Sequence, residues 1–90
     1  MPTQDRPDRH LDLVVVVSGV ATPVRANVNQ RLEHVVREAL RESGNAGQPP
    51  EDWELRRENG ELLDQSLRVG DAGLADGAVL TLQPRAGAGG

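Results

Sequence analysis

Apolar residues recur at every second position along the first regular segment of the chain, from Leu11 to Ser18. The apolar set consists of Leu11, Leu13, Val15 and Val17. Because successive side chains of a strand point to opposite faces, this set shares one face. The face that carries Asp12 and Ser18 is then the exposed one. Since β-branched residues favour extended backbone, the segment is predicted to be a strand.

A second strand is predicted from Thr22 to Val28, after a tight connection formed by residues 19–21. So short a connection makes the two strands antiparallel neighbours. Pro23 lies near the start of the second strand and has no backbone N–H. A missing donor does least harm on a strand that has only one neighbour, so this strand is expected at an edge of the sheet.

The apolar spacing changes to three and four residues after Asn29, which predicts a helix with one apolar stripe. The stripe consists of Leu32, Val35, Val36, Ala39 and Leu40. Asn29 is a favourable N-cap residue, and Glu33 and Arg37 are spaced as an i, i+4 ion pair on the polar side. Gly44 suits the left-handed position that follows a helix.

Alternation returns at residue 52 and continues to residue 57, with Trp53 and Leu55 on one side. Asn59-Gly60 follows, and this dipeptide is preferred in two-residue hairpin turns. Leu62-Leu63 is therefore predicted to be a short return strand. This part of the chain is expected to form a hairpin.

A turn-rich crossover over residues 66–77 leads to the last predicted strand, residues 78–83, in which Leu80 and Leu82 point inward. The predicted order of elements is β-β-α-β-β-β. One amphipathic helix has to cover one face of a mixed sheet, because no other element can bury either apolar surface. The expected fold class is α+β.

Both ends of the chain differ in composition from this core. Residues 1–10 are polar and contain two prolines, so a disordered lead is predicted. Residues 11–84 form the predicted domain. Residues 85–90, mostly Gly and Ala, form a predicted flexible tail that ends in Gly-Gly. The 90 residues supply one small domain, whose core has little room for a deep enzyme pocket.

Charge and residue types narrow the chemistry that the chain can perform. The formal net charge is -4 and no basic patch is present, so nucleic acid is not a predicted partner. The chain has no cysteine, and its two histidines, His10 and His34, are far apart in sequence. A metal site is therefore not predicted. Because no Ser-His-Asp arrangement or phosphate loop is recognisable, the protein is not predicted to be an enzyme and no catalytic residue is assigned.

The apolar segments are short compared with a bilayer. The longest, Leu13 to Val17, has far fewer residues than a membrane span requires. Residues 1–10 do not have the pattern of a signal peptide. The protein is accordingly expected in the cytoplasm, without a membrane partner.

The order and spacing of these elements resemble ubiquitin, from about Leu11 to the end of the chain. Pro49-Pro50, after the helix, is similar to the proline pair of ubiquitin. Residues 69–74, Val-Gly-Asp-Ala-Gly-Leu, resemble the crossover before ubiquitin's last strand. Arg85 falls where ubiquitin's tail carries an arginine, and Gly-Gly follows at the end.

A closer resemblance is to small bacterial ubiquitin-like proteins. Three blocks carry it: residues 44–49 (Gly-Asn-Ala-Gly-Gln-Pro), residues 53–55 (Trp-Glu-Leu) and residues 73–77 (Gly-Leu-Ala-Asp-Gly). This resemblance implies a ubiquitin-like β-grasp fold and a protein modifier. It also implies an ATP-dependent activating enzyme, a conjugating enzyme, a deconjugating metallopeptidase and target proteins, in a system that serves antiviral defence. The chain itself is expected to bind no cofactor, since the activating partner uses the ATP.

The candidate site of a modifier is its tail. Gly89 and Gly90 are the predicted conjugation residues, because glycine lacks a Cβ and can pass through a narrow channel to the activating site. Arg85, Gly87 and Ala88 are predicted to contact the activating enzyme. Arg85 can pair with an acidic surface in the bidentate manner of a guanidinium group.

A second candidate site lies on the exposed face of the sheet. The partner patch of ubiquitin, transferred by position, would include Arg56 and Gln83, which are polar, so that patch is not expected here. Val14, Val16 and Thr81 share the exposed face if the first and last strands pair, and form a possible replacement patch. The alternative is that these valines only satisfy the β-propensity of a strand.

All ten basic residues are arginine, so no ε-amine is available to a second copy of the chain. A modifier of this composition is expected to form single attachments, although GC-rich coding alone also produces such a composition. Two further functions stay open. One is a sulfur carrier with a C-terminal thiocarboxylate, and the other is a non-covalent β-grasp interaction domain with an incidental tail.

Overall fold

The structure is a computed structural model that describes residues 9–85. Five strands and one helix follow the predicted order: β1 (His10–Val17), β2 (Val20–Asn27), α1 (Leu32–Glu42), β3 (Trp53–Arg57), β4 (Leu62–Leu63) and β5 (Val79–Pro84). Two short 3-10 turns, Pro50–Asp52 and Val69–Asp71, interrupt the connections. Most of the predicted lead and of the predicted tail lies outside the described residues.

The strands form one mixed sheet in the order β2-β1-β5-β3-β4. β1 is antiparallel to β2 and parallel to β5, while β3 is antiparallel to both β5 and β4. β2 and β4 are therefore the edge strands. The edge position predicted from Pro23 is confirmed.

α1 packs against one face of the sheet and buries its whole predicted stripe. The buried residues of α1 are Leu32, Val35, Val36, Ala39 and Leu40. Opposite them, Val15, Leu55 and Leu82 are fully buried on three neighbouring strands. Complete burial of an aliphatic side chain stabilises a fold by about 1.5–3 kcal/mol. Aliphatic residues thus form the core, and Trp53, 6% exposed, lies at its border.

The first hairpin is tighter than the sequence predicted. β2 begins at Val20 rather than Thr22, because Ser18 and Gly19 alone complete the turn with φ angles of 47° and 90°. Positive φ at both central residues gives the twist that matches two antiparallel strands. Val17 then pairs directly with Val20. The predicted connection over residues 19–21 was wrong because Ser18 adopts a conformation that usually requires Gly or Asn.

β3 and β5, in contrast to β2, begin one residue later than predicted. The N–H of Asp52 donates to the oxygen of Pro49 at 3.1 Å, which places Asp52 in the 3-10 turn. The N–H of Ala78 donates to the oxygen of Ala75 at 3.0 Å, so Ala78 still belongs to a turn. The register pairs Trp53 with Pro84, and the last strand therefore ends at this proline.

The start of α1 corrects the N-cap prediction. The N-cap residue is Arg31, not Asn29, whose backbone N–H instead donates to Oδ1 of Asn27 at 2.8 Å. The first donors of the helix find partners elsewhere in the chain. The N–H of Leu32 donates to the main-chain oxygen of Leu67 at 2.8 Å, and that of Glu33 donates to the oxygen of Gln65 at 2.9 Å. Main-chain oxygens of Gln65 and Leu67 therefore satisfy these donors of the helix N-terminus without a side-chain cap.

The helix C-terminus agrees with the prediction. Gly44 has a φ of 88°, and its N–H donates to the oxygen of Arg41 at 3.3 Å. The N–H of Asn45 donates to the oxygen of Leu40 at 2.7 Å. These two bonds form a Schellman motif, which explains why a glycine follows the helix. The predicted ion pair between Glu33 and Arg37 is present on the exposed side at 3.1 Å.

Candidate functional site

The tail begins from a residue that is fixed to the domain. The N–H of Arg85 donates to the main-chain oxygen of Asp52 at 2.8 Å, which continues the pairing of β5 with β3 by one residue. Nε of Arg85 donates to the oxygen of Glu51 at 3.0 Å. Its Nη1 lies 4.0 Å from Oε2 of Glu54. Arg85, predicted as the first tail residue, is thus held at the end of β5 by the Pro50–Asp52 turn.

The Pro50–Asp52 turn is itself held by Gln65. Nε2 of Gln65 donates to the oxygen of Pro50 at 3.2 Å and to that of Trp53 at 2.9 Å. A side-chain amide has two donors, so one residue satisfies two main-chain acceptors. Gln65 therefore connects the segment after β4 to the turn that binds Arg85. No local sequence pattern indicates this role of Gln65, because its partners lie 12 and 15 residues away along the chain.

The remaining tail residues assigned from the sequence, Gly87, Ala88, Gly89 and Gly90, lie outside the described residues. Their predicted contacts with an activating enzyme and their role in conjugation stay predictions. The contact predicted for Arg85 also stays a prediction. Its side chain is 48% exposed, so part of it is accessible to a partner.

The second candidate site lies on the sheet face away from α1. In the parallel ladder of β1 and β5, Val14 pairs with Val79 and Val16 pairs with Thr81. The predicted neighbourhood of Val14, Val16 and Thr81 is therefore present. All four side chains are half-buried rather than fully exposed, because neighbouring strands flank them on both sides. We call Val14, Val16, Val79 and Thr81 the open-face patch.

Val79 was not among the residues predicted for this patch, although it lies two residues before Thr81 and so on the same face of β5. On the β2 side, Pro23 pairs with Val14 and extends the apolar surface to the edge. On the β3 side, Arg56 pairs with Thr81. Nη1 of Arg56 donates to the oxygen of Gly60 at 2.8 Å, so a fixed guanidinium group borders the patch.

Within residues 9–85, no group of three or more His, Cys, Asp or Glu side chains is placed to hold a metal ion. Among the same residues, no helix has both the length and the apolar composition needed to cross a membrane. Hydrogen bonds from the backbone N–H and the hydroxyl of Ser66 lower the pKa of the Asp64 carboxyl below its ordinary value.

Comparison with protein families and curated sequences gives two findings. The family described as Protein of Unknown function (DUF2604) matches residues 6–90. "Uncharacterized protein y4jI" from Sinorhizobium fredii (strain NBRC 101917 / NGR234) is 46% identical over 81 residues, which are 89% of this chain and 62% of that protein. The chain therefore spans less than two thirds of the length of this relative.

Solved structures share the fold at low sequence identity. A de novo designed protein based on ubiquitin is similar with a TM-score of 0.73 and 20% identity, over 90% of this chain and 95% of the design. A chain of the toluene 4 monooxygenase HD complex with the inhibitor 4-bromobenzoate is similar with a TM-score of 0.71 and 13% identity, over 86% of this chain and all of that one. The α+β fold is thus ubiquitin-like, as the resemblance predicted.

Proposed function

The chain belongs to the family described as Protein of Unknown function (DUF2604), and we propose that it acts as a ubiquitin-like protein modifier. One observation carries the proposal. The last strand of a ubiquitin-like sheet leads to Arg85, which is fixed to the domain, and five small residues ending in Gly-Gly follow in the sequence. The proposal assigns the reacting atom to the carboxyl carbon of Gly90.

The proposed chemistry has two steps. A carboxylate oxygen of Gly90 attacks the α-phosphorus of ATP in the activating enzyme, which forms an acyl-adenylate and releases pyrophosphate. An acceptor nucleophile then attacks the carbonyl carbon, and AMP leaves. The chain supplies the acyl group and an unhindered path to it, because glycine residues allow close approach of other backbones. Catalysis belongs to the partners, so the chain is not proposed to be an enzyme.

The proposed partners are an ATP-dependent activating enzyme, a conjugating enzyme, a deconjugating metallopeptidase and target proteins. The proposed setting is the bacterial cytoplasm, in a system that serves antiviral defence. The sequence blocks at residues 44–49, 53–55 and 73–77 support this part of the proposal through their resemblance to bacterial ubiquitin-like proteins. The bacterial origin of the curated relative is consistent with it.

The test is the intact mass of the protein after incubation with ATP and the activating enzyme encoded beside its gene. The variant lacking Gly89 and Gly90 is run in parallel, and a variant lacking Pro2 and Thr3 is the matched control. We expect an AMP adduct or an enzyme-linked species from the full chain and from the control, and none from the tail variant.

Two other outcomes would indicate a different function. Replacement of one carboxyl oxygen by sulfur, in the presence of a sulfur donor, would identify a sulfur carrier. No adduct from the folded full chain, with an enzyme shown to hydrolyse ATP, would contradict the proposal and favour a non-covalent interaction domain.

A further inference from the structure

A groove lies at the β4 edge of the sheet, because β4 is much shorter than the strand beside it. β4 pairs only with Leu55 and Arg56 of β3, so Trp53 and Glu54 have no neighbouring strand on that side. The groove has a volume of about 770 Å³. It runs between the Pro50–Asp52 turn and the segment after β4, and Arg85 is one of its lining residues.

The groove is suited to side chains and not to an added strand. The N–H of Trp53 donates to the oxygen of Pro50, and the oxygen of Trp53 accepts from Nε2 of Gln65. Both main-chain groups of Trp53 are therefore already bonded. An incoming strand would have to displace Gln65 before it could pair with β3.

Leu62 makes one side of the groove apolar. It is 52% exposed, whereas its neighbour Leu63 is only 5% exposed. Below them the groove reaches the buried side chains of Trp53 and Leu55. An exposed apolar side chain beside a concave, partly apolar surface often marks a binding site. A partner that binds there removes the apolar side chain from water.

Charged groups around the groove are mostly acidic. Its lining includes four carboxylates, Glu33, Glu51, Glu54 and Asp64, and two guanidinium groups, Arg31 and Arg85, which gives a net charge of -2. Both guanidinium groups donate hydrogen bonds to main-chain oxygens of other residues that line the groove. Nη1 of Arg31 donates to the oxygen of Ser66 at 2.8 Å, as Arg85 does to that of Glu51.

Glu51 differs from the other carboxylates of the lining. Glu33 and Glu54 are paired with Arg37 and Arg56 at 3.1 Å, and Asp64 accepts from Ser66. The carboxylate of Glu51 has no ion-pair or hydrogen-bond partner among residues 9–85. This carboxylate is therefore available to form an ion pair with a cation of a binding partner.

We propose that this groove docks a segment of the activating enzyme that carries an apolar side chain beside a Lys or Arg. The apolar side chain packs on Leu62, and the cation pairs with Glu51. Opposite charge across an interface favours encounter and fixes orientation. Because Arg85 also lines the groove, docking here fixes the base of the tail next to the enzyme. The inference rests on the proposed function and adds a binding surface to it.

The test compares groove variants with matched variants elsewhere. Glu51→Arg and Leu62→Ser alter the groove, while Glu58→Arg and Val20→Ser make similar changes at exposed positions away from it. All four side chains are exposed, so the variants are expected to fold, which circular dichroism checks. The readouts are KM and kcat for ATP-dependent pyrophosphate release, with this protein as the varied substrate.

We expect each groove variant to raise KM about tenfold at unchanged kcat, because loss of an interaction that is equal in the ground state and the transition state changes KM alone. The effect of Glu51→Arg should shrink as salt rises, because ions screen exposed charges. The two matched variants should keep the KM of the wild type. Groove variants with wild-type KM would overturn the inference even if activation itself proceeds.

A second readout separates this inference from the proposed function. If the wild type is bound but never activated, titration of the ¹⁵N-labelled protein with the same enzyme still reports the docking surface. Chemical-shift changes at Glu51, Leu62 and Ser66 that are lost in Glu51→Arg would support the groove while the proposed function fails. Changes elsewhere, or none, would reject the groove.

Discussion

The side-chain amide of Gln65 donates a 2.9 Å hydrogen bond to the main-chain oxygen of Trp53, at the point where the edge of β3 has no neighbouring strand. The same amide reaches the oxygen of Pro50, and the main-chain oxygen of Gln65 accepts the N–H of Glu33 in the first turn of α1. One residue thus joins the helix, the sheet edge and the turn that holds Arg85.

Replacing this residue should therefore weaken the domain. Gln65→Ala removes the donors to Pro50 and Trp53, and we expect the free energy of unfolding to fall by about 1–2 kcal/mol. Urea denaturation followed by circular dichroism measures the change. Gln48→Ala, in an exposed loop, is the matched control and should stay within about 0.5 kcal/mol of the wild type. Equal stability of both variants would show that the Gln65 bonds contribute nothing.

The residue after the helix gives a second prediction about stability. Gly44 has a φ of 88°, yet a Cβ added there would meet no atom within 4 Å. The cost of Gly44→Ala is thus conformational rather than steric, and we expect a loss of about 1 kcal/mol. Gly44→Asn should lose less, because Asn tolerates the left-handed region. The idea fails if Ala is as stable as Gly in thermal unfolding, or if Asn is worse than Ala.

Sequence patterns predicted the fold where the signal was local. Alternation identified the buried faces of β1, β3 and β5, and the three-four spacing identified every buried residue of α1. Both signals come from the spacing at which apolar residues repeat along a strand or a helix, and this spacing can be read from the sequence alone. The sequence also indicated the edge position of β2, because a single proline limits where that strand can lie.

What the sequence could not predict depends on distant parts of the chain. The helix begins after Arg31 because main-chain oxygens of Gln65 and Leu67 accept its first N–H groups. The short β4 was itself predicted, but the groove beside it was not, because the groove depends on Gln65 and the Pro50–Asp52 turn lying beside the uncovered end of β3. Val79 lies in the open-face patch because β1 and β5 pair in parallel. The sequence did not establish that these two strands pair, and the predicted patch depended on that pairing.

Replacing the valines of the open-face patch should weaken partner binding without preventing the domain from folding. Val14→Thr with Val16→Thr keeps β-branched side chains, so the strand should fold while its apolar contact is lost. If a partner docks on the patch, we expect the yield of conjugates to fall roughly fivefold, as for loss of a moderate interface residue. Val20→Thr, 55% exposed in the hairpin, is the control and should not change the yield. Unchanged conjugation and partner binding in the double variant would leave β-propensity as the only reason for these valines.

The lack of lysine predicts the form of the conjugates. A second copy of the chain offers no ε-amine, so each attachment should add one copy to one acceptor residue of a target. Intact-mass analysis of purified conjugates measures the number of copies per site. Homopolymers joined through isopeptide bonds would contradict this directly.

The central claim, that Gly90 becomes covalently joined to other proteins, is tested most directly by peptide mass spectrometry. Trypsin cleaves after Arg85, so an acceptor residue should keep the remnant Ala-Gly-Ala-Gly-Gly from residues 86–90. The measurement uses tryptic digests of cells that carry the natural gene and its neighbours, next to cells whose gene lacks the codons for Gly89 and Gly90. We predict target peptides with this remnant in the first sample and none in the second. Expression of the protein and of its activating enzyme without any remnant-bearing peptide would contradict the account.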